Sequence, residues 1–202
     1  LPVFALEGVD DSEFSINIDR NRVTMVSTNQ AGIRITKQFS AGTNYLLHST
    51  ITLANSTKEP VKLDQRKLML GTTMPLEKGG SYPVWGAQWH NGDDIQDIDE
   101  GWFANRTLGC IPGTPRPYFM STGQPVKWVG VHNRFFALTT IPMEGATGGR
   151  VYSTKTTPRP LNDPQEEGEQ YAHDTGILAS LQFQAQVLQP GESIVQKFTT
   201  YA

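Results

Sequence analysis

A chain of 202 residues, 37% of them hydrophobic, is long enough to bury one substantial core, and a single β-rich domain over 1–202 is the expectation. With 17 Lys and Arg against 20 Asp and Glu, the net charge is −3 and no basic cluster stands out, which gives nucleic acid no electrostatic footprint and an acidic membrane nothing to attract. The apolar runs fall short of the roughly 20 residues that span a bilayer, and 19 Gly with 13 Pro indicate many turns, not disorder.

The chain begins LPVFALEG, without an initiator Met or a basic-then-apolar leader, and so reads as an excised or processed piece of a longer protein. Phe14, Ile16 and Ile18 alternate with Ser15, Asn17 and Asp19, the period of a half-exposed strand. Ile33, Ile35 and Phe39 repeat that period opposite Arg34, Thr36, Lys37 and Gln38. After the turn residues Ala41-Gly42-Thr43-Asn44 the alternation resumes as Tyr45, Leu47, Ser49, Ile51 and Leu53, which predicts a hairpin. His48 is out of phase and belongs to the other face. Val61 and Leu63 mark a further short strand, and Lys67 to Leu70 another.

Residues 71 to 127 break this regularity. They hold three of the four Trp, the lone Cys110 and the acidic run DDIQDIDE, and connections this long are commonly functional or poorly ordered. Residues 93 to 100 predict a short helix with Ile95 and Ile98 on one side. Asp93, Asp94, Asp97, Asp99 and Glu100 have the oxygen chemistry for a hard cation such as Ca²⁺. They lack the alternating spacing of a calcium loop, so a solvated acidic turn is preferred and no metal is expected. Cys110 has no partner for a disulfide or a paired-cysteine metal site. His48, His90, His132 and His173 show no metal-ligand spacing, and no nucleophile elbow, Walker loop or dinucleotide fingerprint is present. No catalytic residue and no cofactor is expected. Trp85, Trp89, Trp102, Phe103, Tyr118 and Phe119 allow two readings. They line a groove for a peptide or sugar, or, as the simpler reading, they cap the end of a sandwich core. Exposed sheet edges offer strand addition as another way to hold an extended segment.

Residues 128 to 142, WVGVHNRFFALTTIP, predict a core hairpin. Trp128, Val129, Val131, Phe135, Phe136, Leu138 and Ile141 suit a buried pleated sheet, Asn133 and Arg134 place the bend, and Pro142 ends the run. Residues 143 to 175, with TTPRPLNDPQEEGEQ, read as a surface excursion. Leu181, Phe183, Ala185 and Val187 alternate with Gln182, Gln184 and Gln186, and Pro190-Gly191-Glu192-Ser193 turns the chain back into Ile194 to Tyr201. No segment keeps a period near 3.6 over three turns. The expected class is all-β.

Three of these segments, IRITKQFSAGTNYLLHSTITL (33–53), WVGVHNRFFALTTIP (128–142) and ILASLQFQAQVLQPGESIVQKFTTY (177–201), taken in that order, resemble the periplasmic domain of YidC-type bacterial membrane protein insertases. The resemblance covers about a third of the chain, and it implies a β-supersandwich of two large antiparallel sheets, like galactose mutarotase. It also implies a place on the periplasmic face of the inner membrane, between an N-terminal transmembrane helix and a helical core in the bilayer. The function implied is docking or client interaction without catalysis, within an insertase and chaperone for inner-membrane proteins. The partners implied are the Sec translocon, its SecDF accessory complex and nascent inner-membrane proteins. The insertion groove of that family lies in the membrane core, so none of its residues maps onto this chain. This chain is shorter than the better-known members, whose contact surface is assigned to peripheral elements. The alternative is a carbohydrate-binding or aldose-epimerase-like sandwich, for which His90 or His173 would face Glu144 or Asp174 across a sugar. Such an activity would show as accelerated optical-rotation change on aldohexoses.

Overall fold

The alternating segments pair into antiparallel sheets in a computed structural model that describes residues 3–74, 85–106, 111, 113–122, 126–143, 146, 148–155 and 175–202. The elements, in chain order, are β1 (Leu6–Glu7), β2 (Ser15–Asp19), β3 (Arg22–Thr28), β4 (Ile33–Ala41), β5 (Leu46–Asn55), β6 (Val61–Leu63), β7 (Arg66–Thr73), β8 (Gly86–His90), β9 (Ile95–Ile98), α1 (Glu100–Ala104), β10 (Tyr118–Thr122), β11 (Trp128–His132), β12 (Ala137–Pro142), β13 (Gly148–Lys155), β14 (Thr175–Phe183), β15 (Gln186–Leu188) and β16 (Ser193–Tyr201). One sheet has nine strands in the order β2-β3-β4-β5-β16-β12-β11-β8-β9, and the other has five in the order β1-β7-β14-β13-β10. β15 and β6 form a separate pair. The result is an all-β supersandwich of two large antiparallel sheets, as expected.

One apolar cluster fills the space between the sheets. Ile33, Ile35, Ile51 and Leu53 reach it from β4 and β5, and Leu68, Val151, Ile177 and Leu181 reach it from the five-stranded sheet. On β4 and β5 the alternate residues are mostly less buried, because successive side chains leave a strand on opposite faces. A buried cation interrupts the apolar surface. Lys37 on β4 is 4% exposed, its Nζ donates to the Phe4 carbonyl at 2.9 Å, and it forms an ion pair with Asp10. The Phe14 ring lies 4.8 Å beneath that ammonium. Asp10 also accepts from the Leu6 amide at 2.8 Å, so the pair binds the N-terminal segment to the large sheet. Arg66 is a second buried cation. Its Nη1 donates to the Asp64 carbonyl at 3.3 Å, Nε meets no partner among the described residues, and burial pulls its pKa down.

Several expectations are corrected. The alternation at Ile16 and Ile18 makes strand β2, but as an edge strand it is exposed along its whole length, with Ile16 61% and Ile18 72% exposed. The hairpin at 128–142 forms as β11 and β12, but Phe135 and Phe136 sit in its turn and are 66% and 72% exposed. The turn begins one residue after the last β11 pair, which leaves both rings outside the pleat. Residues 95–98 are strand β9, not helix: β8 offers a free edge, and pairing with it sends Ile95 and Ile98 to opposite faces. The helix starts only at Glu100, where the Asp99 carboxylate caps it by accepting from the Trp102 amide at 2.8 Å. Asp99→Ala removes that cap and is expected to cost about 1 kcal/mol in urea unfolding. Residues 177–201 are not one hairpin. β14 belongs to the five-stranded sheet and β16 to the nine-stranded one, and the alternation breaks at the exposed Gln184 and Ala185 where the chain crosses over. Val187 is consequently exposed and Leu188 buried, before Gly191 takes the left-handed turn position at φ 76°. Finally, the irregular stretch 71–127 contains β8, β9, α1 and β10. Of the excursion at 143–175, residues 148–155 are β13, while 156–174 lie outside the described residues.

Candidate functional site

Four of the six aromatic residues singled out in the sequence meet in the space between the sheets. Trp89, on β8, is 1% exposed and reaches across from the large sheet. Phe119, on β10 of the small sheet, meets its ring edgewise at 6.2 Å. Trp102 and Phe103 on α1 close the cluster, with Trp102 5.1 Å from Phe103 and 5.5 Å from Phe119. Trp85 is buried in the same core just before β8. Tyr118 is separated from them because it neighbours Phe119 on a strand and so emerges on the outer face. There its ring lies 6.2 Å from Tyr152.

Three of the six, Trp85, Trp89 and Phe103, are at least nine-tenths buried, so a partner reaches only Tyr118 and the half-buried Trp102 and Phe119. Arg116 covers the outer side of Trp102, its guanidinium 4.6 Å from the ring. The Arg116 amide donates to the Phe103 carbonyl at 2.8 Å, which fixes the strap before β10 against the helix. On the outer face Arg150 stacks 5.0 Å from Tyr118, and Lys67 lies 5.5 Å from Tyr152. Burial works against the Lys67 ammonium, and its hydrogen bonds with Glu7 and Tyr152 outweigh that, so its pKa is raised.

Sequence reasoning missed Gly149. A Cβ there would stand 1.9 Å from Trp89 Cη2, which means that the indole occupies the place of a side chain on β13. The pair GG in a strand is the signal of a close approach, though it does not say what approaches. The Trp89 indole N–H finds no acceptor among the described residues.

The polar candidates are dispersed. His48 lies 3.3 Å from the Thr199 hydroxyl on the outer side of the large sheet, and His90 Nδ1 lies 3.2 Å from the Asp94 carbonyl with its ring against Trp128. His132 faces Asp97 at 3.5 Å. Asp99 serves as a helix cap, and Asp93 and Asp94 fold onto Asn91 through their amides. Among the described residues no group of His, Cys, Asp and Glu could hold a metal ion. Cys110, Glu144, His173 and Asp174 lie outside the described residues, so the proposed pairing across a sugar stands on His90 alone. An apolar cavity of about 350 Å³ opens elsewhere, between β7 and the β11–β12 turn, and Val3, Met74, Phe136, Leu138 and Ala202 are among its lining. No described helix is long and apolar enough to cross a membrane.

Comparison with solved structures finds the same fold at low identity. A TPR-domain containing protein from Parabacteroides distasonis is similar at TM-score 0.53 and 15% identity, over 92% of this chain and 33% of that one. The Slr1438 protein from Synechocystis aligns at TM-score 0.54 and 8% identity, over 93% and 65%. A GalM/aldose epimerase homologue from C. elegans aligns at 0.52 and 13%, over 93% and 67%. The chain thus spans a third of the first and about two-thirds of the others. These likenesses show a galactose-mutarotase-like sandwich and nothing about activity. A comparison with curated proteins finds no match. The profile of the YidC periplasmic domain matches residues 3–202, end to end across both sheets, and the chain therefore belongs to the YidC periplasmic domain family.

Proposed function

We propose that this chain is a docking and client-interaction module on the periplasmic side of the inner membrane, working within an insertase that helps nascent membrane proteins insert and fold. It forms one sandwich domain of a longer, membrane-embedded protein and carries out no chemistry of its own. The observation that supports this reading is the family match over residues 3–202. The packing of Trp85, Trp89 and Phe103 fits it too, since these aromatic residues are buried in the core and not set out along a groove. Its partners are the Sec translocon, the SecDF accessory complex and nascent inner-membrane proteins. Of the six aromatic residues singled out in the sequence, Tyr118, Trp102 and Phe119 are available to touch them, and the exposed edge strand β2 offers backbone groups for strand addition.

Co-purification from membranes tests this. Full-length protein is expected to bring down Sec components, and removal of residues 3–202 is expected to reduce that recovery severalfold. Removing 71–127 alone is not informative, because that segment supplies β8 and β10 to both sheets. Unchanged recovery without the domain, or acceleration of aldohexose mutarotation by the purified chain, would count against the proposal.

A further inference from the structure

We infer that the free edge of β2 is a self-pairing surface, at which two copies of this chain join antiparallel, β2 to β2, in one continuous sheet. A second copy is thus named as occupant of the edge offered above to client segments, and the inference does not rest on the docking role. β2 ends the nine-stranded sheet, and all five of its residues are exposed, on both faces. Edge strands are ordinarily blunted by a bulge, a proline or a row of charges. β2 keeps an unbroken register with β3, has no proline, and carries Asp19 as its one charge.

The turn after β2 decides which of its backbone groups are free. Arg20 and Asn21 alone connect Asp19 to Arg22, and Arg20 takes φ 44°. So short a hairpin makes Asp19 and Arg22 a hydrogen-bonded pair. Alternation then commits the amides and carbonyls of Ser15, Asn17 and Asp19 to β3, and points those of Ile16 and Ile18 away from the sheet. The side chains of Ile16 and Ile18 share the core-facing side, because Ile18 lies in a row with Val23 and Phe39, and Ile16 with Met25 and Lys37. They are nonetheless 61% and 72% exposed.

A strand that completes this edge has to offer outward backbone groups at the same spacing and apolar side chains on the same face. A second β2 does both. With a two-fold axis at Asn17, Ile16 of each copy stands opposite Ile18 of the other, and each such pair exchanges both of its backbone bonds. Every residue of both strands is then paired, and Ser15 faces Asp19, so no like charges meet. Sliding to Ile16 opposite Ile16 would set Glu13 against Asp19. The flanks are complementary as well. Asp11 and Glu13 precede β2, Arg20 and Arg22 follow it, all four are exposed, and none makes an ion pair among the described residues. An antiparallel copy brings the acidic end of each strand beside the Arg pair of the other. An unrelated extended segment gains only the backbone bonds.

The test is sedimentation of the 202-residue chain, at up to about 0.5 mM because a strand-pair interface is small. A monomer–dimer equilibrium is expected. Ile16→Lys with Ile18→Lys puts like charges directly opposite and should raise the dimer dissociation constant about tenfold or more. Asn17→Cys, in a Cys110→Ser background, should give a disulfide-linked dimer on mild oxidation, because the two positions face each other at about 4.5 Å between Cα atoms. Ser15→Cys alone should link about tenfold less, since its two copies stand roughly 14 Å apart. Mixed with Asp19→Cys, it should link. These positions are all exposed, and thermal melting of each variant checks that the fold is kept. A chain that stays monomeric, a dimer unchanged by the double Lys variant, or equal linking at positions 15 and 17 overturns the proposal. So does full-length Asn17→Cys protein that crosslinks in membranes only to a different protein, which would assign the edge to a client. The dimer is read on the isolated chain and Sec recovery on the full-length protein, so the two proposals fail separately.

Discussion

Gly149→Ala is expected to destabilise the domain by about 3 kcal/mol or more in urea unfolding, against the 1–3 kcal/mol usual for an added methyl in a packed core. The added carbon would lie 1.9 and 2.1 Å from Cη2 and Cζ3 of Trp89 and 2.8 Å from the backbone oxygen of Ser180. Trp89 has no room to retreat, because it is 1% exposed and its far side is held by Phe119 and, through Phe119, by Trp102. The Ser180 carbonyl belongs to β14, paired through Ala179 and Leu181 to β13, and cannot move without opening that ladder. Trp89→Leu in the Gly149→Ala background should recover part of the loss by vacating the space the methyl needs. A cost below about 1 kcal/mol for Gly149→Ala alone would mean that Trp89 does not fill the gap as described.

The second large effect is expected at Lys37. Lys37→Ala leaves Asp10 without its cation and the Phe4 carbonyl without its donor, inside a site where Lys37 and Asp10 side chains are only 5% and 14% exposed. Breaking one member of such a buried pair costs about 3–5 kcal/mol, most of it the stranded charge. Asp10→Ala should cost a similar amount, and also lose the bond to the Leu6 amide. The double variant should cost well below the sum, because it removes the stranded charge along with the partner. Lys37→Met with Asp10→Asn should retain most of the stability, since Asn still accepts from Leu6 and Met still lies over Phe14. Strictly additive single costs would show that the two residues do not act as a pair.

Both sites show what the linear pattern conveys and what it omits. The strands β4 and β5 were legible because Ile33, Ile35, Ile51 and Leu53 keep strict period two against polar neighbours. Lys37 was placed on the polar side by the same pattern, because of its charge. In the structure Lys37 is as buried as those Ile residues, since Lys37 pairs across the ladder with Ile51 and takes its charge partner from Asp10, 27 residues earlier. Residue type alone does not show a partner supplied from that distance. Apolarity assigns Phe135 and Phe136 to the core, yet the bend that the sequence places at Asn133 and Arg134 carries both rings. An Asn whose oxygen collects two following amides makes those residues a turn, and a turn at a sheet end faces solvent.

The crossing between sheets was illegible for a different reason. Period two continues through Leu181 and Phe183 and says which face is buried, but it does not say which sheet the strand joins. β14 and β16 lie either side of the sandwich because β7 and β13 pair with the former and β5 and β12 with the latter, choices made by strands outside the local sequence window. Sequence alone determined the all-β class, the half-buried strands β4 and β5 and the family, since each depends on local alternation and on ordered short segments. Only the tertiary structure decided that Trp89 fills the place of a side chain on β13, that Lys37 is buried, and that Phe135 and Phe136 stand out into solvent. Those facts depend on which distant strands become neighbours, and strand pairing is set by the packing of the whole core, not by any window of the chain.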